Sequence, residues 1–294
     1  MANLKDIQRK IKSVSNTQKT TRAMKLVSTA KLRRAEELAK RSRLYAQKMN
    51  QVIAEIAGRI KCSKVGGLEN RCFAKLENPK TVDIIFVTAD KGLCGGFNHQ
   101  TIKTVSNLLT EFKDNDVKVR LKGIGRKGIE FFKFKQYELA DERIGLSAAP
   151  NYEEASKFIL ESYNDFMAGE TDKIILIHNG YVNKIIQEIK VNTLLPLEKS
   201  EIVEDDHILD IEPKHDEELV LSQLVQKYVE FSQFYALLDS LAAEHSARMQ
   251  AMDAATTNAG EKVKELTLQY NKARQEAVTT ELIEIISGME SLKK

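Results

Sequence analysis

Proline and glycine are scarce in this chain, and their distribution says more than their number. The four prolines, Pro79, Pro150, Pro196 and Pro213, all lie in the middle of the 294 residues, and no glycine lies between Met1 and Ala57. A stretch free of both and rich in Lys, Arg, Ala, Leu, Gln and Met favours helix. Roughly 55 residues of unbroken helix would be about 80 Å long, which excludes an ordinary globular helix. Cysteine is scarce too. Cys62, Cys72 and Cys94 form no CxxC, and no histidine stands at a zinc-like interval. Neither a disulfide framework nor a metal site is supported, and a reducing cytoplasm is the simplest setting. No apolar run approaches about eighteen residues and no signal-peptide core is present, so neither a membrane span nor export by that route is expected.

Charge is abundant but unevenly placed. Residues 1–50 hold fourteen Lys/Arg against Asp6, Glu36 and Glu37, a net +11, whereas residues 201–218 hold nine acids and one lysine. Such an asymmetry suits either a solvated helix face or a charged partner: nucleic acid, lipid or an acidic protein surface.

The C-terminal segment carries the clearest periodicity. Steps of three and four from Leu221 give Leu224, Tyr228, Phe231, Tyr235, Leu238, Ala242, His245, Met249, Met252, Thr256, Ala259, Val263, Leu266, Tyr270, Ala273, Ala277 and Thr280. A seam held this long predicts a left-handed coiled coil, with His245 a tolerated polar seam residue. The N-terminal helix shows two heptad sets. One is Leu4, Ile7, Ile11 and Val14; the other is Ala35, Leu38, Tyr45, Met49, Val52 and Ile56. The polar stretch from Thr17 to Thr29 predicts a slip in register between them. Two long seamed helices at opposite ends pair most economically with each other, antiparallel.

Between them the rhythm changes. TVDIIFVTA (81–89), VKVRL (117–121), YELADERI (137–144), KIILIHN (173–179) and QEIKVNTLLP (187–196) read as strands. Helices are expected over Phe97–Phe112, Lys127–Phe134 and Glu153–Met167. The alternation predicts an inserted Rossmann-like α/β domain on a mostly parallel five-stranded sheet. The expected organisation is an N-terminal coiled-coil helix over 1–60, a globular domain with linkers over 61–212, and a C-terminal coiled-coil helix over 213–294.

Two glycine motifs invite a catalytic reading. Gly123, Gly125 and Gly128 match G-x-G-x-x-G, the dinucleotide fingerprint, after a strand. The following helix is short, however, and the nearest acids, Asp141 and Glu142, come thirteen and fourteen residues after Gly128 instead of about twenty. A tight structural turn is the better reading. TADKGLCGGFN (88–98) follows the most apolar strand but lacks the P-loop lysine and hydroxyl. Cys94 and His99 stand close in sequence without an orienting partner. No catalytic, cofactor or metal residue is expected. A nucleotide-binding oxidoreductase using the Gly123–Gly128 loop and a basic coiled-coil nucleic-acid-binding protein remain the alternatives. The second lacks stacking aromatics, since only Tyr45 stands in the first fifty residues.

The ends bear a resemblance. NLKDIQRKIKSVSNTQKTTRAMKLVSTAKLRRA (3–35), TADKGLCGGFN, SARMQAMDAATTNAG (246–260) and YNKARQEAVTTELIEIISG (270–288) resemble, in order and spacing, the gamma subunits of bacterial F-type proton-translocating ATP synthases. GMES at 288–291 departs from the small residues usual there, and no cysteine-bearing insertion of the chloroplast type lies between Lys190 and Leu221. The resemblance implies a non-catalytic central-stalk rotor without cofactors, turning inside a ring of alpha and beta chains. It further implies contacts to the epsilon subunit and the membrane c-ring, at the cytoplasmic face of the inner membrane. By motif, Arg9, Lys19, Arg22, Lys25, Arg33 and Arg34 are expected to face acidic loops of the ring. Met24, Lys25 and Arg248 match coupling positions, and Arg274, Gln275 and Thr279 match a contact to beta.

Overall fold

The computed structural model describes residues 4–60, 69–73, 79–197 and 217–291. Cys62, the acidic run before Glu217 and the expected boundaries near 61 and 213 lie outside these residues. Two compact units are present: Met1–Thr29 with Arg248–Lys294, and Ala30–Ala247. Two long helices contribute to both, α1 (Leu4–Ile60) and α6 (Glu217–Ser291).

In the first unit α1 and α6 run antiparallel as a coiled coil. Met252, Ala259 and Leu266 are buried, and Thr256, Val263, Tyr270, Ala273 and Ala277 are half-buried, which is the expected heptad seam. It ends at Ala277, and Thr280 is exposed. The slip expected over Thr17–Thr29 is absent. Along α1 the covered positions are 7, 11, 14, 18, 21, 25 and 28, and the same alternation of four and three continues through 32, 35, 39, 42, 46 and 49. The polar residues keep the register because they find partners across the seam. Lys25 Nζ donates to Asp253 Oδ1 at 2.6 Å, and the hydroxyls of Thr21 and Thr256 lie 2.8 Å apart. Polar groups at such positions fix register at some expense of stability. Leu38 and Tyr45, placed in the seam from their hydrophobicity, are 50% and 53% exposed, and smaller Ala39, Ser42 and Ala46 take the inner positions. At Gly260 a Cβ would stand 2.7 Å from Gln18 Nε2, so the missing side chain makes room for that amide.

The second unit is an α/β sandwich. Its strands are β1 (Thr81–Val87), β2 (Lys118–Ile124), β3 (Leu139–Arg143), β4 (Lys173–Tyr181) and β5 (Gln187–Leu195), in the order β3-β2-β1-β4-β5. All neighbours are parallel except β4 and β5, which form an antiparallel hairpin at one edge. The short α2 (Glu69–Phe73) precedes β1, and α3 (Phe97–Asp114), α4 (Arg126–Phe134) and α5 (Tyr152–Ala168) connect the parallel strands. Strands apolar on alternating residues of both faces need cover on both. Val82, Ile84 and Phe86 pack with Val105 and Leu109 of α3 and with Ile129 and Phe132 of α4. Ile85 and Val87 pack on the other side with Phe158, Ile159 and Phe166 of α5 and with Val225, Val229 and Leu237 of α6. Within this unit α6 is thus part of the sheet's second layer, which explains why its residues 236–247 are buried on nearly every side apart from half-covered Leu241.

Candidate functional site

The fingerprint loop joins β2 to α4, and its glycines are required by the backbone of β1. A Cβ on Gly125, at φ +97°, would stand 1.9 Å from the Thr88 carbonyl oxygen; one on Gly128 would stand 2.5 Å from the Phe86 ring. The first amides of α4 are all engaged. Arg126 N donates to Asp90 Oδ1 at 2.9 Å, Lys127 N to the Ala89 carbonyl at 3.1 Å, and Gly128 N to Thr88 Oγ1 at 3.0 Å. Asp90 also accepts from Gly145 N at 3.1 Å and from Ser147 Oγ at 2.9 Å. A dinucleotide site needs these amides for its pyrophosphate. Here an aspartate of the protein holds the position, and the oxidoreductase reading loses its phosphate seat.

The 88–98 loop is likewise structural. Cys94 is 2% exposed and packs with Ala89 and Phe97 against Ala243 and Ala247 of α6. Asn98 ties the loop back, accepting from Ala89 N at 2.9 Å and donating to Cys94 Sγ at 3.2 Å. His99 is exposed on α3, so the buried thiol and the imidazole are not brought together.

The sequence-predicted contact residues fall on the long helices. Arg9 is exposed beside Asp6 at 3.6 Å, and Lys19, Arg22, Arg33 and Arg34 are exposed. Met24 is half-buried, Lys25 spans the coil to Asp253, and Arg248 is only 8% exposed. Arg274, Gln275 and Thr279 stand exposed on successive turns, with Thr279 Oγ1 donating to the Gln275 carbonyl at 2.8 Å. Beyond Ala277 the helix presents Val278, Leu282, Ile283, Ile285, Ile286 and Met289, each half exposed or more. Water-exposed apolar side chains in this density mark a surface made to be covered.

A sequence profile of the ATP synthase family matches residues 3–292. The ATP synthase gamma chain of Sulfurimonas denitrificans is 65% identical over the full length of both chains, and that of Nitratiruptor sp. 62%. This chain belongs to the ATP synthase family of gamma chains. Its fold is similar to chains in two solved mitochondrial assemblies. One is the Euglena gracilis ATP synthase rotor, with TM-score 0.64 at 17% identity, covering 94% of this chain and 98% of that one. The other is the Tetrahymena thermophila central stalk with c-ring, with TM-score 0.59 at 23% identity, covering 80% and 99%. Among the described residues no helix is long and apolar enough to cross a membrane.

Sequence reasoning missed how the sheet is fastened to α6. Asp239, 3% exposed, accepts from Lys190 Nζ at 2.6 Å and Tyr181 N at 3.0 Å, with His178 Nε2 at 3.4 Å. Burial pushes the Asp239 carboxyl up, but His178 and Lys190 together win and hold it below the usual carboxylate range. Burial likewise pushes His178 below the ordinary imidazole value despite the carboxylate beside it. The available signal was an aspartate and a histidine inside runs that otherwise read as core. On the sheet's far half, Arg120 chelates fully buried Asp83 through two 2.7 Å bonds and reaches Asp165 at 2.7 Å.

Proposed function

We propose that this chain is the central-stalk rotor shaft of a bacterial F-type ATP synthase, coupling ion flow through the membrane sector to ATP synthesis or hydrolysis. Family membership over the whole chain supports the reading, and the physical observation that carries it is the free apolar end of α6. An exposed run of Leu, Ile, Val and Met on one helix is stable in water only when sheathed.

In this reading residues 1–60 and 213–294 supply the shaft and residues 61–212 the globular part that meets the epsilon subunit and the c-ring. The alpha and beta chains surround the shaft and perform the chemistry; this chain contributes no catalytic group. An asymmetric shaft makes different contacts with each beta chain, and only differential contacts shift a conformational equilibrium. Turning it therefore moves each nucleotide site through states of different affinity. Exposed Arg9, Arg22 and Arg33 present positive charge to the ring, with Met24, Lys25, Arg248, Arg274, Gln275 and Thr279 as coupling contacts. The assembly would sit at the cytoplasmic face of the inner membrane.

The test is native purification of the tagged chain from detergent-solubilised membranes. Recovery with two larger nucleotide-hydrolysing chains and ATPase activity is the expected result. Recovery alone from the soluble fraction would overturn the reading.

A further inference from the structure

Asp239 and Ser246 are seven residues apart, two turns along one face of α6, and both engage the β4–β5 hairpin. Asp239 takes the end of β4 through Tyr181 N and the middle of β5 through Lys190 Nζ. Ser246 Oγ donates to the Lys184 carbonyl at 2.9 Å and accepts from Gln187 Nε2 at 3.0 Å. The turn between these anchors is closed on itself: Asn183 Oδ1 accepts from Ile185 N at 2.8 Å and Ile186 N at 2.9 Å. Lys190 reaches Asp239 by crossing Gly180, where a Cβ would stand 2.3 Å from Lys190 Cε. The glycine thus leaves a lane for the lysine stem. Tyr181, whose amide is held by α6, has its phenol pushed up by burial first and then by the negative charge of Glu36 on α1. One hairpin is therefore fastened to α6 at two points, two turns apart.

An ion pair on a buried carboxylate is a poor source of stability compared with apolar packing of the same volume, but it restricts the alignment of its partners. Apolar contacts between α6 and the sheet permit sliding by fractions of an ångström; a carboxylate held by two directed donors, Lys190 Nζ and Tyr181 N, does not. We propose that Asp239 and Ser246 are positioning residues that lock the β4–β5 hairpin to the shaft helix, so that torque passes between sheet and α6 without slip. The inference rests on the rotor reading for its function, although the lock itself does not.

Two measurements separate the two. The first is amide hydrogen exchange on the full chain carrying Asp239→Asn, Ser246→Ala or Lys190→Met. Exchange should rise through residues 181–187 while the amides of β1 and β2 stay protected. Unchanged exchange at the hairpin in all three variants overturns the lock, whatever the chain's partners. Should Asp239→Asn fail to fold, the two other variants carry the test. The second uses the reconstituted enzyme and reads protons pumped per ATP hydrolysed. Loss of pumping per ATP at a retained hydrolysis rate supports a torque role, which a merely structural residue would not produce. Normal pumping with a loosened hairpin overturns that role and leaves the shaft assignment intact. Failure of the wild-type chain to assemble with a catalytic ring would instead sink the rotor reading and with it the torque role, while exchange still decides the lock.

Discussion

Replacing Asp90 by alanine should destabilise the α/β unit substantially while conferring no nucleotide affinity. The carboxylate accepts hydrogen bonds from the Arg126 and Gly145 amides and the Ser147 hydroxyl, joining the β1 end, the α4 start and the β3–α5 segment. Loss of a helix-capping oxygen costs about 1 kcal/mol, and a hydrogen bond to a charged group about 1.5–3 kcal/mol. Asp90 is half-covered, so water replaces part of what is lost. A net cost of about 2.5 kcal/mol follows, against about 1 kcal/mol for Asp90→Asn, which keeps one acceptor.

Urea denaturation can read the difference through tyrosine fluorescence, because the chain has eight tyrosines and no tryptophan. At a slope of about 2.5 kcal/mol per molar, the midpoint for Asp90→Ala should fall by about 1 M, and by less than half that for Asp90→Asn. NAD binding should be absent in wild type and both variants. A shift of Asp90→Ala within about 0.5 kcal/mol of wild type would refute the capping argument. Saturable NAD binding by the wild-type chain would refute the inference that the aspartate fills the phosphate seat.

Gly125→Ala places a Cβ 1.9 Å from a backbone oxygen at positive φ and should prevent the unit from folding, whereas Gly92→Ala, whose added Cβ would meet nothing within 4 Å, should stay within about 0.5 kcal/mol of wild type; equal circular dichroism melts would contradict this. His178 is held neutral by burial, so below the ordinary imidazole value the unfolded chain takes up the proton first. Stability should therefore fall as pH drops below about 6.5, by at most about 1.4 kcal/mol per pH unit, until the lowered folded value is reached. His178→Asn should flatten that slope between pH 7 and 5, and identical slopes would count against it. Gln275→Leu, on an exposed turn of α6, should reduce ATP synthesis at unchanged helix content; normal synthesis would remove Gln275 from the coupling contacts.

What could be read from the residues alone, and what could not, divides along a physical line. Elements whose residues repeat a simple period were legible: the alternating strands, the connecting helices and the α6 seam from Met252 to Ala277 all stand where pattern places them. The register of α1 was not legible, because hydrophobicity does not mark its seam. Thr21 and Lys25 occupy seam positions on the strength of cross-helix partners more than two hundred residues away in sequence, and no local window contains that information. The same holds for Asp90 and Asp239. Each is one acid among many until folding brings partners from two separate segments around it. The fingerprint glycines show the converse. Their spacing was visible, but the spacing serves both a nucleotide cradle and a close approach to Thr88 and Phe86. What separates the two is whether the amides of α4 are free, and that depends on Asp90, thirty-six residues upstream of Arg126. Motifs made of glycine specify a backbone path; the charges that occupy its end specify the chemistry.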